Sequence, residues 1–287
     1  MMVAHALRLQ NVERDNSKWL TAGFTSELSD EFLETLRMTK GYAELLTQME
    51  TGCFSLPSLL KEGAKYGIKP WSWAGPRHAS LLAADLINNE HHMIGMVCHV
   101  AKERTVVASE LLFEVDNAAA GGLMLLIPCR LGTDHIEAHL RSQFMKWLRD
   151  SQCIGCLCGP PQKGLYAFAS GEEEGSVFCL DPHSSLRIDV PEDACFPSDK
   201  FMRNVHSHRN IVEVEVVQLD PECAFGFHFA DKESLNEWLE THISEAEVTT
   251  SHTDIFSVVS ASVEQSGDNE VSDNKEEEEE EDFFYVI

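Results

Sequence analysis

With 287 residues, 43% of them hydrophobic, the chain is long enough for one large domain or two small ones and for a substantial core. Twenty-two basic residues against 48 acidic ones leave a net charge of −26, which excludes unaided binding to nucleic acid. Nine cysteines, an odd number scattered without a dense framework, exclude a disulfide-stapled secreted scaffold and favour free thiols in a reducing compartment.

The N-terminus, MMVAHALRLQ, lacks the charged, apolar and small-residue regions of a secretory signal. The longest apolar stretch, Ala118 to Cys129, is too short to span a bilayer. The expectation is a soluble, cytoplasmic protein.

Residues 1–10 read as helix, apolar on most faces (Met2, Val3, Ala6, Leu7, Leu9) and without an N-cap. A buried-looking helix with no start signal points to a missing beginning. Residues 27–63 read as helical, with Leu33, Leu36, Leu45, Leu46 and Met49 interleaved with acids, and Pro57 opens a helix carrying Leu59, Leu60 and Ala64. Trp71 to Pro76 reads as a turn. A helix follows with Leu81, Leu82, Ala84, Leu86 and Ile87. Ile94–Val100 and Thr105–Val107 read as strands, and Gly122 to Cys129 has the continuous apolar run of a strand buried on both faces.

Asp134 to Leu148 is the clearest amphipathic pattern. Ile136, Leu140, Phe144, Trp147 and Leu148 share one helical face, and Asp134 with Glu137 resembles a capping box. Two short apolar runs, Leu165–Ala169 and Ser176–Leu180, flank a Gly/Glu turn and read as a hairpin. Ile211 to Leu219 alternates like a strand, Ser234 to Ile243 reads as a helix, and Ile255 to Val259 reads as a last strand. Helices early and strands late predict an α+β fold.

The hairpin exits on Asp181-Pro182-His183. In extended chain, residues i and i+2 face the same way, and Pro182 biases Asp181 toward that geometry. One reading is a carboxylate orienting a catalytic imidazole. The other is ordinary Asp-Pro turn chemistry closing a strand.

Several blocks occur in order: Phe54-Ser55, Trp73-Ala74-Gly75-Pro76, Leu125-Leu126-Ile127-Pro128 with Arg130-Leu131-Gly132, Gly155 to Pro161 with Tyr166, Leu180 to His183, Asp220-Pro221 and Gly226-Phe227. Together they resemble the autophagins, the cysteine endopeptidases of autophagy, over roughly residues 1–262. The resemblance favours the catalytic reading of Asp181 and His183. It implies a papain-like cysteine protease fold of the α+β class, lacking its N-terminal segment. Asp181 and His183 match the acid and base of a Cys-His-Asp arrangement. Trp73 matches a tryptophan beside the active site, where it would meet the C-terminal glycine of the substrate. Gly155 to Lys163, with Gly159 and Pro160 as substrate-binding residues, matches a mobile loop over the substrate channel.

The implied activity is trimming the C-terminus of a ubiquitin-like autophagy modifier and releasing it from phosphatidylethanolamine. The modifier, as precursor and in lipidated form, is the implied partner, with membrane contact only through the lipidated substrate. No cofactor and no metal are implied.

One departure stands out. The family's nucleophile lies in a Gly-Trp-Gly-Cys motif, and none occurs in these 287 residues. Met1 to Leu7 resembles the helix that follows that cysteine. Cys53 is a weak substitute, since the resemblance places it at an outer helix-to-loop junction. The alternative function is therefore a non-catalytic fragment or isoform that only binds the modifier.

Cys153, Cys156 and Cys158 form Cys-x-x-Cys-x-Cys, readable as a zinc or redox pair or as core packing; packing is the reading adopted. His91-His92 and His206 with His208 read as surface histidines. From Ser251 onward there are twelve acids and one base, Lys275, so the tail carries −11 of the total charge. Residues 263–287 are expected to be a disordered acidic tail, and 1–262 the peptidase domain. The tail ends in Phe283-Phe284-Tyr285-Val286-Ile287 after an unbroken acidic run. Phe283 with Val286, or Phe284 with Ile287, resembles the aromatic-x-x-aliphatic motif that adds a strand to the modifier.

Overall fold

The computed structural model describes residues 56–260 except 70–71, 90, 92–94, 118–120, 161–162, 173–174, 182–210 and 249–253. The expected N-terminal helices, His183, His206, His208, Cys53 and the whole tail, including Phe283, Phe284, Val286 and Ile287, lie outside the described residues.

Helix α1, Leu56–Gly63, continues as a 3-10 turn that stops at Gly67, whose φ of 70° suits a glycine cap. Helix α2, Pro76–Asn89, starts on a proline, which tolerates the first helical position because its missing N–H has no partner there. Strand β1, Met96–Val100, and the short β2, Thr105–Val107, lead into helix α3, Ala108–Asn117. Strand β3, Gly122–Arg130, pairs parallel with β1. Helix α4, Arg141–Leu148, is followed by β4 (Cys153–Cys158), β5 (Leu165–Ser170), β6 (Ser176–Leu180) and β7 (Ile211–Glu215). Strand β8, Glu222–Phe229, helix α5, Lys232–Val248, and β9, Ser257–Val259, complete the described chain.

The main sheet runs β1-β3-β8-β4-β5-β6-β7, antiparallel except for β1 with β3. A separate parallel pair joins β2 to β9. The fold is α+β, as the order of elements predicted.

Period-two alternation explains the two cores. On β3, Leu123, Leu125 and Ile127 join a large cluster on one face, while Met124 and Leu126 join a smaller one on the other. The smaller cluster is closed by Ala84 and Ile87 of α2. The larger is aromatic: Phe144 and Trp147 of α4, Phe225, Phe227 and Phe229 of β8, Trp238 of α5, and Phe256. Ring centroids of Trp147 and Phe256 are 4.2 Å apart, and those of Phe144 and Phe225 are 5.1 Å apart. Covering both faces of β3 explains its unbroken apolar run.

Three expectations are corrected. Asp134 to Leu148 is not one helix. The Glu137 N–H donates to Leu131 O at 2.9 Å, so helix begins only at Ala138 as a 3-10 turn and at Arg141 as α. No side-chain cap bond forms at Glu137. The strand expected over Ile211–Leu219 ends at Glu215, because the Val216 N–H turns to Gly175 O at 2.8 Å and a 3-10 turn follows. Gly155 belongs to β4 rather than to a loop. Three elements the sequence reading did not assign, α3, β4 and β8, complete the layer.

Candidate active site

The hairpin β5–β6 forms as expected. Its last ladder pair is Tyr166 with Leu180, and Asp181 is the next residue along. Asp181 is therefore carried at the end of a strand whose preceding residues, Val177 and Cys179, are fully buried. Its side chain is 12% exposed, and Oδ2 lies 2.8 Å from Lys163 Nζ.

Lys163 belongs to the connection from β4 to β5, and two glycines shape that region. Gly155 has φ 132°, and a Cβ there would stand 2.6 Å from Ala167 O and from the Tyr166 ring. Its absence lets Tyr166 fold across β4 and donate its hydroxyl to Ile154 O. Burial pushes the Tyr166 hydroxyl pKa up, so it stays a donor. Gly159 has φ 151°, and a Cβ there would collide with the Lys163 carbonyl. The Lys163 N–H donates to Pro160 O at 2.9 Å, and the Asp220 N–H donates to Gly159 O. Gly159 is buried and Pro160 half-buried. The two residues expected to bind substrate thus shape the turn that presents Lys163.

Trp73 is 55% exposed, yet it is not isolated. A Cβ on Gly164 would be 3.6 Å from its ring, so the indole lies against the end of the same connection. Two residues on, Gly75 approaches Glu222 Oε2 at 3.4 Å from the position of a Cβ. Glu222 in turn pairs with Arg130 at 3.9 Å. The structure thereby gathers Trp73, Gly159, Pro160 and Asp181 around one connection, and adds Lys163, Arg130 and Glu222. Lys163 carried no sequence signal beyond its place in the loop. Glu222 was missed together with its strand.

The cysteine pattern resolves into packing. Cys153, Cys156 and Cys158 on β4 face the aromatic core with Cys129, Cys179 and Cys223, all as unpaired thiols. Cys129 and Cys223 are cross-strand partners on β3 and β8. Burial pushes the Cys153 thiol up to about 12 and raises those of Cys129 and Cys156 as well, which suits inert core residues. Hydrogen bonds from Cys156 and Cys179 hold the Cys158 thiol low relative to its neighbours.

A groove of about 580 Å³ lies between α2, α3 and β1, remote from Asp181 across the sheet. His99 lines it, with Nδ1 2.9 Å from Glu114 Oε1. Among the described residues no helix is long and apolar enough to cross a membrane.

A mostly antiparallel sheet packed between helices, with a shielded carboxylate at a strand exit, is the arrangement of the papain-like cysteine peptidase fold. A family model described as the peptidase C54 catalytic domain matches residues 1–241, and the chain belongs to the peptidase C54 family. It is similar to cysteine protease ATG4b of Arabidopsis thaliana, 26% identical over 260 residues that cover 83% of this chain and 51% of that protein. It is also similar to cysteine protease ATG4 of Kluyveromyces marxianus, 26% identical over 180 residues, covering 62% of this chain and 38% of that protein. Cysteine protease ATG4A of Xenopus laevis is 31% identical over 119 residues, covering 41% of this chain and 28% of that protein. The chain spans about half or less of the length of these curated relatives.

Proposed function

We propose that the protein acts as a thiol endopeptidase of autophagy, cleaving after the C-terminal glycine of a ubiquitin-like modifier. Residues 1–262 form the peptidase domain, and 263–287 form a docking tail. The observation that carries this reading is Asp181: a shielded carboxylate one residue past the β5–β6 ladder, two residues before His183. In this role His183 takes the proton of a cysteine thiol, and Asp181 holds the imidazole tautomer and stabilises its cation. The thiolate attacks the glycine carbonyl, and the imidazolium gives its proton to the leaving amine. Water then hydrolyses the thioester, returning the thiol and freeing the glycine carboxylate. The amine is either the next residue of a precursor or the ethanolamine headgroup of a lipid conjugate.

Trp73 supplies an exposed aromatic face beside Gly164, suited to packing on a glycine that has no side chain of its own. The test is cleavage of precursor and lipidated modifier by a protein carrying Gly-Trp-Gly-Cys ahead of this chain. His183→Ala and Asp181→Asn should each abolish most turnover. Full activity in His183→Ala would overturn the assignment of the base.

A second reading is favoured by one observation, the run Phe283-Phe284-Tyr285-Val286-Ile287 directly behind an unbroken acidic stretch. On that reading the chain binds the modifier without cutting it. Phe283 with Val286, or Phe284 with Ile287, would anchor a strand added to the modifier, the upstream acids meeting basic residues on it. Calorimetry with Phe283→Ala combined with Phe284→Ala separates the contributions: loss of affinity supports tail docking, and unchanged affinity refutes it. Modifier binding without cleavage by the 287-residue chain supports the second reading.

A further inference from the structure

The Asp181 carboxylate has a cationic neighbour for which Cys-His-Asp chemistry has no use. Lys163 Nζ lies 2.8 Å from Asp181 Oδ2, the lysine side chain 46% exposed and the aspartate 12%. The lysine backbone is fixed independently of this contact. Its N–H is bonded to Pro160 O, its carbonyl fills the space beside Gly159 Cα, and Gly164 after it lies against Trp73. A fixed backbone reduces the entropy lost in holding the long side chain in place.

An ammonium this close cancels part of the field of a carboxylate. A carboxylate raises the basicity of an imidazole through that same field. The lysine therefore acts on the imidazole through the acid. A carboxylate offers about four lone-pair sites, so the ammonium on Oδ2 leaves room for an imidazole N–H.

We propose that Lys163 is a positioning residue: it anchors one oxygen of Asp181, and its charge tempers how strongly that carboxylate favours a cationic imidazole at His183. The proposal rests on the reading that Asp181 orients His183. Charged groups on the described elements near the same connection include Asp220 ahead of β8, Glu222 on β8 and Arg130 on β3, and all stay constant across the variants below.

The test is a magnetic-resonance titration of the His183 imidazole in the 287-residue chain, with the resonance assigned by its loss in His183→Gln. Lys163→Met should raise the titration midpoint by roughly a few tenths of a unit, the scale of losing one partly exposed charge from an ion pair with the acid. Lys163→Glu should raise it by roughly twice as much, and Lys163→Arg should leave it where it was. Asp181→Asn should lower it. If Asp181→Asn lowers the midpoint while Lys163→Met and Lys163→Glu leave it unmoved, the role of Lys163 is refuted and the acid–base reading stands. If Asp181→Asn leaves it unmoved, the acid–base reading falls and the proposal falls with it.

Discussion

Asn88 and Cys98 bond as if they were neighbouring strands. The Asn88 Nδ2 donates to Cys98 O at 2.8 Å, and the Cys98 N–H donates to Asn88 Oδ1 at 2.7 Å. One carboxamide at the end of α2 thus satisfies both polar groups of a residue on β1, the last strand at its end of the described sheet. Asn88→Ala should cost about 1–2 kcal/mol in urea denaturation, since two bonds are lost and water replaces them only in part. The same variant opens a strand edge to other chains, and light scattering should show concentration-dependent association.

The aromatic layer sets a second expectation. Trp147 touches the rings of Phe227, Trp238, His242 and Phe256. Trp147→Ala leaves a cavity bordered by four rings that cannot collapse onto it. The cost should be about 3–5 kcal/mol, read from denaturant midpoints. A loss below about 1 kcal/mol would show that this layer is not tightly packed.

Gly159 and Gly164 should respond in opposite ways, though they are five residues apart on one connection. Gly159→Ala places a Cβ against the Lys163 carbonyl at a φ that side chains rarely adopt, and should cost at least about 2 kcal/mol. Gly164→Ala meets only the Trp73 ring at an ordinary 3.6 Å and should leave the melting temperature nearly unchanged. Equal losses at both sites would contradict the geometry of the connection.

Tyr66 gives a pH-dependent expectation. Burial, the 2.7 Å bond to Asp85 and the charge of that carboxylate push its hydroxyl from 10.0 to about 12. A folded-state value above the unfolded one means that folding favours the neutral phenol. That stabilisation is fully present below pH 10, and it is lost as pH rises toward 12. Tyr66→Phe should therefore flatten this part of the stability profile, followed by circular dichroism in urea at several alkaline pH values.

The row of thiols predicts chemical silence. With its thiol pushed up to about 12 by burial, Cys153 holds almost no thiolate at neutral pH, and Cys129 and Cys156 lie on the same core face. Iodoacetamide followed by peptide mapping should leave all three unmodified in the native protein and label them after unfolding. Dialysis against a chelator should leave the melting curve in place; a drop would revive the zinc reading of Cys-x-x-Cys-x-Cys.

Some elements announce themselves in sequence because one local rule suffices. Strand β3 does so through an unbroken apolar run, and the β5–β6 hairpin through two runs across a glycine turn. Helix α3 hides because its buried stripe is short, Ala108, Leu111 and Val115, and Phe113 stands exposed beside it. Strand β8 hides because Gly226 and His228 interrupt its apolar residues, and these are tolerated only where β3 and β4 enclose it. The start of α4 was over-read because apolar spacing alone does not reveal that Glu137 bonds back to Leu131. Asp181, Trp73, Gly159 and Pro160 stand out in sequence through the ordered blocks that contain them. The contact of Lys163 with Asp181 does not, since it depends on how the β4–β5 connection returns to the hairpin.

Strand β8 also governs the order in which the molecule can be completed. It lies between β3 and β4, so the half carrying Arg130 and the half carrying Asp181 meet only through residues made late in synthesis. A nascent chain ending before Glu222 holds two part-sheets with exposed flanks, and Arg130 and Glu222 reach the β4–β5 connection only once that wedge is in place. Completion of the sheet is thereby a late event, set by where in the chain its central strand is encoded.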